Sequence, residues 1–181
     1  MVDRKKPQGI YPDFDSFRWN SPEKVEDMTF YQADKSNVSV GARKNFLTVS
    51  KDSEIDTVDA GIWGFNHGNG IYLLKEADSV RPAYYLPIQF IGRYCFYTDE
   101  VIFSMDGAMN HGNPFLRNTK VEHYIININN GKQFKLDDKL MHAILDDDKE
   151  LLKKYKKEKN RKKAYLDYIK AYSKRHPEQI K

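Results

Sequence analysis

Two histidines of this 181-residue chain share one four-residue setting, Asn66-His67-Gly68-Asn69 and Asn110-His111-Gly112-Asn113. If folding brought the two loops together, His67 and His111 with His123 as a third ligand would suit a metal-assisted hydrolase. Three imidazoles on zinc leave one position open for a water whose pKa the metal lowers. Sites of that kind more often announce themselves by short-spaced pairs, Cys-x2-Cys or His-x3-His, and the chain has none. The competing reading is turn chemistry: Asn and Gly tolerate the positive φ of tight turns, and His is accepted at an exposed tip. We take the repeat as turn chemistry used twice, since the flanks are unlike and mark no duplicated unit.

Other catalytic groups are no better signalled. There is no Gly-x-Ser-x-Gly elbow, and no glycine-rich loop precedes a helix to cradle phosphate. Cys95 is the single cysteine, so no internal disulfide forms, and in "GRYCFY" it reads as a small buried strand residue. The carboxylates Asp13 and Asp15, and Asp146 to Asp148, stand where helices begin and capping accounts for them. We therefore assign no catalytic residue, metal or cofactor, and expect a protein that is not an enzyme.

Charge is unevenly placed. The net +4 divides into +9 over residues 149–181 and −5 over residues 1–148. Lys153, Lys154, Lys156, Lys157, Arg161, Lys162 and Lys163 could bind a polyanion, but apart from Tyr155 no aromatic residue interleaves to stack bases, and a solvated helix is the simpler reading. The expectation is weak, salt-sensitive contact with any polyanion and no specific nucleic acid. The aromatic residues of the body suggest a different partner. Trp63 and Tyr72, with the loop residues His67, Asn69, Asn110 and His111, are the candidate contacts to another protein.

These residues must be positioned by local elements. "DFDSFRWNSPEK" reads as a short helix capped by Asp13 and stopped before Pro22, with Phe14, Phe17 and Trp19 as inward candidates. "AGIWGF" and "GIYLLK" flank residues 66–70 as a β-hairpin, and "VEHYIININNGKQFKL" forms another, turning at Asn129-Asn130-Gly131. Alternating runs from Met28 onward and from Ala83 to Met105 bring the meander to about six to eight strands. Pro87 and Gly92 mark an edge or a bulge, and residues 106–120 form a loop. After Leu136 the period becomes helical. Asp137 or Asp138 caps one helix and the 146–148 cluster caps the next, whose apolar patches are interrupted by "KKEKNRKK", an exposed face or a break.

Composition, with 40% hydrophobic and 31% charged residues and a mean hydropathy of −0.76, suits a globular chain with a well-buried core. No apolar run approaches the roughly 18 residues of a membrane span. The predicted fold is α+β. An antiparallel meander, half-barrel or sandwich-like, with a short N-terminal helix occupies residues 1–136, and residues 137–181 form a basic helical appendage of the same domain.

Three stretches, "GIYPDFDSFRWNSP", "IWGFNHGNGIYL" with "IQFIGRYCFY", and "LDDDKELLKKYKKEKNRKKAYLDYIKAYSKRHP", resemble a family of small uncharacterised proteins common in Bacteroidetes. The shared features are a Gly-Ile-Tyr-x-x-Phe-x-x-Phe opening, a Trp-Gly-Phe hairpin, an Ile-Gly-Arg-Tyr strand and a Lys-rich helical end. The resemblance implies that start, sheet and tail belong together, and that the protein is envelope-associated. The first residues show no signal-peptide pattern, so the expectation is periplasm or envelope for a mature fragment and cytoplasm otherwise. It implies no catalytic residue, and it leaves room for an immunity protein whose acidic body masks a basic toxin.

Overall fold

The computed structural model describes residues 6–23, 29–32, 46–49, 55–57, 61–66, 68, 70–76, 84–103 and 118–177. Ten strands are β1 Gly9–Tyr11, β2 Thr29–Gln32, β3 Phe46–Val49, β4 Ile55–Thr57, β5 Gly64–Asn66, β6 Ile71–Lys75, β7 Tyr84–Phe90, β8 Tyr94–Phe103, β9 Asn118–Asn127 and β10 Gln133–Lys135. Four helices are α1 Phe14–Trp19, α2 Asp138–Ile144, α3 Lys149–Lys156 and α4 Arg161–Arg175. Seven strands follow the order β1-β5-β6-β7-β8-β9-β10 in an open antiparallel sheet, and β2-β3-β4 form a separate antiparallel sheet. The α+β class holds, and the sheet is unclosed. The simple meander is broken at β1, which pairs with β5 rather than with its neighbour in sequence. The chain divides into two compact units, residues 1–88 and 89–181.

In the first unit, α1 follows from local chemistry. The Ser16 N–H donates to Asp13 Oδ1 at 2.7 Å in a capping box, and Asn20 ends the helix in the left-handed conformation at φ 61°. Phe17 is fully buried, edge-on to Tyr11 and 4.5 Å from the Trp63 ring, while Phe14 packs 5.7 Å from Trp63. Trp19 turns outward instead, 51% exposed, because a six-residue helix can present only one side to the core and Phe14 and Phe17 already occupy it. The Lys6 ammonium is buried, donates to the Phe17 carbonyl at the helix end and lies 4.3 Å from the Phe17 ring centroid.

The β5–β6 hairpin carries the second packing unit, in which buried Phe65 stacks on Tyr72 and meets Tyr85 edge-on. Gly64 is needed for close approach: a Cβ there would sit 2.4 Å from the Tyr72 carbonyl oxygen of the paired strand. Pro87 corrects the edge-strand expectation, because β7 stands inside the strand order. The ladder with β6 reaches its last pair at Tyr72 and Pro87, so the missing N–H falls at the end of the pairing. Gly92 lies in the short connection between β7 and β8 rather than in a bulge.

The second unit is a β8–β9–β10 ladder covered on one face by helices. Phe96, Ile125 and Leu136 pack with Met141, Ile144, Leu145, Leu151, Leu152, Tyr155, Tyr165, Ile169 and Tyr172 in one buried cluster. Asp137 caps α2 through Leu140 N–H and Asp148 caps α3 through Leu151 N–H, as the acidic clusters predicted. The "KKEKNRKK" stretch proves to be both a break and an exposed face: α3 ends at Lys156, Asn160 caps α4, and the lysines between point to solvent. Cys95 is fully buried in β8. The predicted 106–120 loop is shortened by β9, which begins at Asn118, and its remainder lies outside the described residues.

Gly64→Ala is expected to lower stability by about 1–3 kcal/mol, since a backbone carbonyl cannot move aside as a flexible side chain would. Urea denaturation checks this. Gly61→Ala, at an exposed turn position, should change the midpoint far less.

Candidate functional site

The turn reading of the first Asn-His-Gly-Asn stretch is supported by its described members. Asn66 is buried, and its Oδ1 accepts the Gly68 N–H at 2.9 Å while Gly68 adopts φ 95°. Its amide also donates to the carbonyls of Lys6 at 2.5 Å and Pro7 at 3.2 Å, tying down the N-terminal segment. This asparagine is therefore structural. His67, Asn69, Asn110 and His111 lie outside the described residues. The second hairpin repeats the device: Asn127 Oδ1 accepts Asn129 N–H, Asn130 Oδ1 accepts Lys132 N–H, and Gly131 takes φ 68°.

Trp63 and Tyr72, candidates for outward contact, are half-buried and already engaged. Trp63 braces α1, accepts at its carbonyl from Leu74 N–H, and donates its own N–H to the Pro12 carbonyl. Burial raises the Tyr72 hydroxyl's pKa, and its ring is stacked on Phe65. Among the described residues of this unit the outward aromatic is Trp19, with the Arg18 guanidinium 4.8 Å from its ring centroid. Sequence reasoning missed it. The signal was present in the spacing: Phe14 and Phe17 share a helix face and Trp19 does not.

One cluster of titratable groups in the second unit begins at His123. Its ring lies 5.8 Å from Phe96 and 5.4 Å, edge-on, from Tyr165, and its Nδ1 is buried with no hydrogen-bond partner among the described residues. Burial, helped by Lys162, holds the imidazole below its ordinary pKa and favours the neutral form. Next to it, Tyr155 donates its hydroxyl to Asp138 at 2.6 Å, and Arg161 binds the same carboxylate at 3.0 Å. Burial, then the bond to Asp138, pushes the Tyr155 hydroxyl well above the phenol range. The same hydroxyl, with Arg161 and His142, holds Asp138 below the carboxylate range. An acid pinned as acceptor and a phenol pinned as donor have no proton to exchange near neutral pH. The cluster is a polar brace between β9 and helices α2, α3 and α4. Among the described residues no group of three or more His, Cys, Asp or Glu side chains is placed to hold a metal ion.

The basic candidates are resolved individually. Lys153, Lys154, Lys156, Lys157, Lys162 and Lys163 are exposed, whereas Arg161 is half-buried and committed to Asp138. Lys154 pairs with Glu150 at 2.6 Å. Among the described residues, no helix is long and apolar enough to cross a membrane.

A model described as a family of unknown function, DUF6563, matches residues 9–176. The chain belongs to the DUF6563 family. The match runs from β1 to the end of α4, so the DUF6563 unit includes the basic helices as well as the strands. No curated protein and no solved structure matches the chain.

His123 yields a pH test. Its pKa is lower folded than in the ordinary, unfolded-like state at 6.5, so the unfolded chain takes up the proton first. The stability tied to the neutral ring is complete above 6.5 and is lost as the pH falls through the lower folded value. His123→Phe keeps an aromatic ring between Phe96 and Tyr165. Its melting temperature should fall less than the wild type's on acidification from neutral pH through that range, and equal slopes would show that the ring carries no such charge penalty.

Proposed function

We propose that the protein is a non-enzymatic binding domain for another protein, with Trp19 as the anchor of its recognition surface. The observation that carries this reading is the 51% exposure of a tryptophan on a rigid platform. The capping box and the Asn20 cap fix α1 at both ends, and the Phe17–Trp63–Phe14 stack fixes its inner side, so little ordering entropy remains to be lost on binding. Trp and Arg dominate the energetics of protein interfaces, and Arg18 lies across the Trp19 ring. A fitting partner offers an apolar slot for the indole and a carboxylate at its rim. The resemblance to envelope proteins supports a partner in the cell envelope if the chain is a mature fragment. Inhibition of a basic toxin is one form of the same reading, supported by the net −5 of residues 1–148.

The test is capture from a cell-envelope extract on the immobilised full chain and on its Trp19→Ala variant. A stoichiometric protein should be retained by the wild type at high salt and bound at least about 30-fold more weakly by the variant, the loss expected of an interface hot spot. Capture that Trp19→Ala leaves unchanged, with the variant's circular dichroism spectrum intact, would remove Trp19 from the interface.

A further inference from the structure

From Lys153 to Lys163 the chain turns from α3 into α4, and eight of these eleven residues are basic against one acid, Glu158. Lys154 and Arg161 are committed to Glu150 and Asp138. Lys156 is exposed and interacts with Asp146 only through space. Lys153, Lys157, Lys159, Lys162 and Lys163 are exposed and make no salt bridge to any described residue. Helix stability explains only part of this. Cations in the last turn of α3 suit its dipole, but the first turn of α4 places Lys162 and Lys163, beside the Asp138-bound Arg161, at the positive end with no acid of that turn to offset them. A helix start charged against its own dipole, with Lys153, Lys157 and Lys159 beside it making no salt bridge to any described residue, breaks local consistency in the way functional surfaces do.

The remaining chemistry of the corner narrows the partner. Grips on nucleic acid combine cations with hydroxyl and amide donors and with aromatic platforms. Here Tyr155 is buried and bonded to Asp138, the one arginine is held by the same carboxylate, and Asn160, whose Oδ1 accepts the α4 capping bond, offers a single side-chain amide donor group. Insertion into hydrocarbon has no side chain to use, since Leu151, Leu152 and Tyr155 are buried in the protein's own core. Hydrated ammonium groups therefore dominate the corner, and they suit a plane of many anionic headgroups where no directional geometry is demanded. We propose that the α3–α4 corner adsorbs the protein peripherally to the surface of an anionic phospholipid bilayer. This goes beyond the protein-binding reading and uses none of its residues.

The test is co-sedimentation of the full chain with phosphatidylcholine vesicles containing about one-third phosphatidylserine, and with pure phosphatidylcholine vesicles. The wild type should bind only the anionic vesicles, and less as salt rises. Each surface lysine contributes about fivefold, so replacing Lys153, Lys157, Lys159 and Lys163 together by Gln should weaken partitioning at least about 100-fold. Circular dichroism and the melting temperature confirm that the variant is folded, and Trp19→Ala should bind vesicles as the wild type does. Equal binding to both vesicle types, no binding to either, or undiminished binding by the folded lysine variant would overturn the proposal. Tighter binding to a DNA duplex than to anionic vesicles at equal salt, lost in the same variant, would overturn it in favour of nucleic acid.

Discussion

A tyrosine in a core brings a large ring that wants burial and a hydroxyl that does not, and much of this structure follows from satisfying the second while using the first. Tyr11 donates to the Pro7 carbonyl at 2.9 Å, Tyr97 to Gln133 at 2.7 Å, Tyr155 to Asp138 at 2.6 Å and Tyr172 to Asp147 at 2.9 Å. Left unpaired, each of these phenols would cost on the order of 1–3 kcal/mol. Each bond also fixes a distance along the chain. Tyr11 holds the entry segment against β1, and Tyr97 fixes the register of β10 on β9. The other two lock α3 and α4 to the acidic segment that begins and ends α2.

That segment shows how one composition serves several ends. Asp137 and Asp148 cap helices, Asp138 and Asp147 accept from tyrosines, and Asp146 pairs with Lys149 at 2.8 Å. Asp148 does more than cap. Nearly buried, it also receives Arg175 at 3.2 Å and His176 at 3.4 Å, so the start of α3 and the end of α4 meet at one carboxylate. Arg175, then Lys154, holds Glu150 down to about 2, which keeps this junction charged far below neutral pH. Two short amphipathic helices, each marginal alone, are thereby held as a layer over β8 and β9.

The legible parts of the fold were those whose causes are local. Asp13, Asp137 and Asp148 sit three residues from the N–H groups they cap, and the Asn-Gly turns at residues 66–68 and 127–131 complete their hydrogen bonds within a few residues. What needed distant partners was not legible. Pro87 looked like an edge marker because sequence does not say how many neighbours a strand has or where a ladder stops. Asp138 and Asp147 read only as helix-start acids, since the tyrosines that use them lie 17 and 25 residues away. Nor did alternation alone separate β2–β3–β4 from the larger sheet. For the site, His67, Asn69, Asn110 and His111 lie outside the described residues, while their neighbour Asn66 is a tether, His123 is a packed ring and Trp19, counted as core, faces outward.

Polar groups that satisfy one another inside a fold are withdrawn from chemistry outside it. Tyr155, Asp138 and Arg161 form such a set, as do Tyr172 and Asp147, and Asp148 with Arg175 and His176. Burial and the bond to Asp138 raise the Tyr155 hydroxyl while that bond lowers Asp138, which strengthens the brace and makes exchange at neutral pH harder. Among the described residues, the groups left facing solvent without such commitments differ in kind. On one unit stands a rigid indole, and on the other a row of lysines. The first gains energy by losing water against a shaped apolar surface, and the second by releasing counterions over a charged one. Salt therefore separates the two surfaces physically: it screens the lysines within a Debye length and leaves the apolar contact of Trp19 intact.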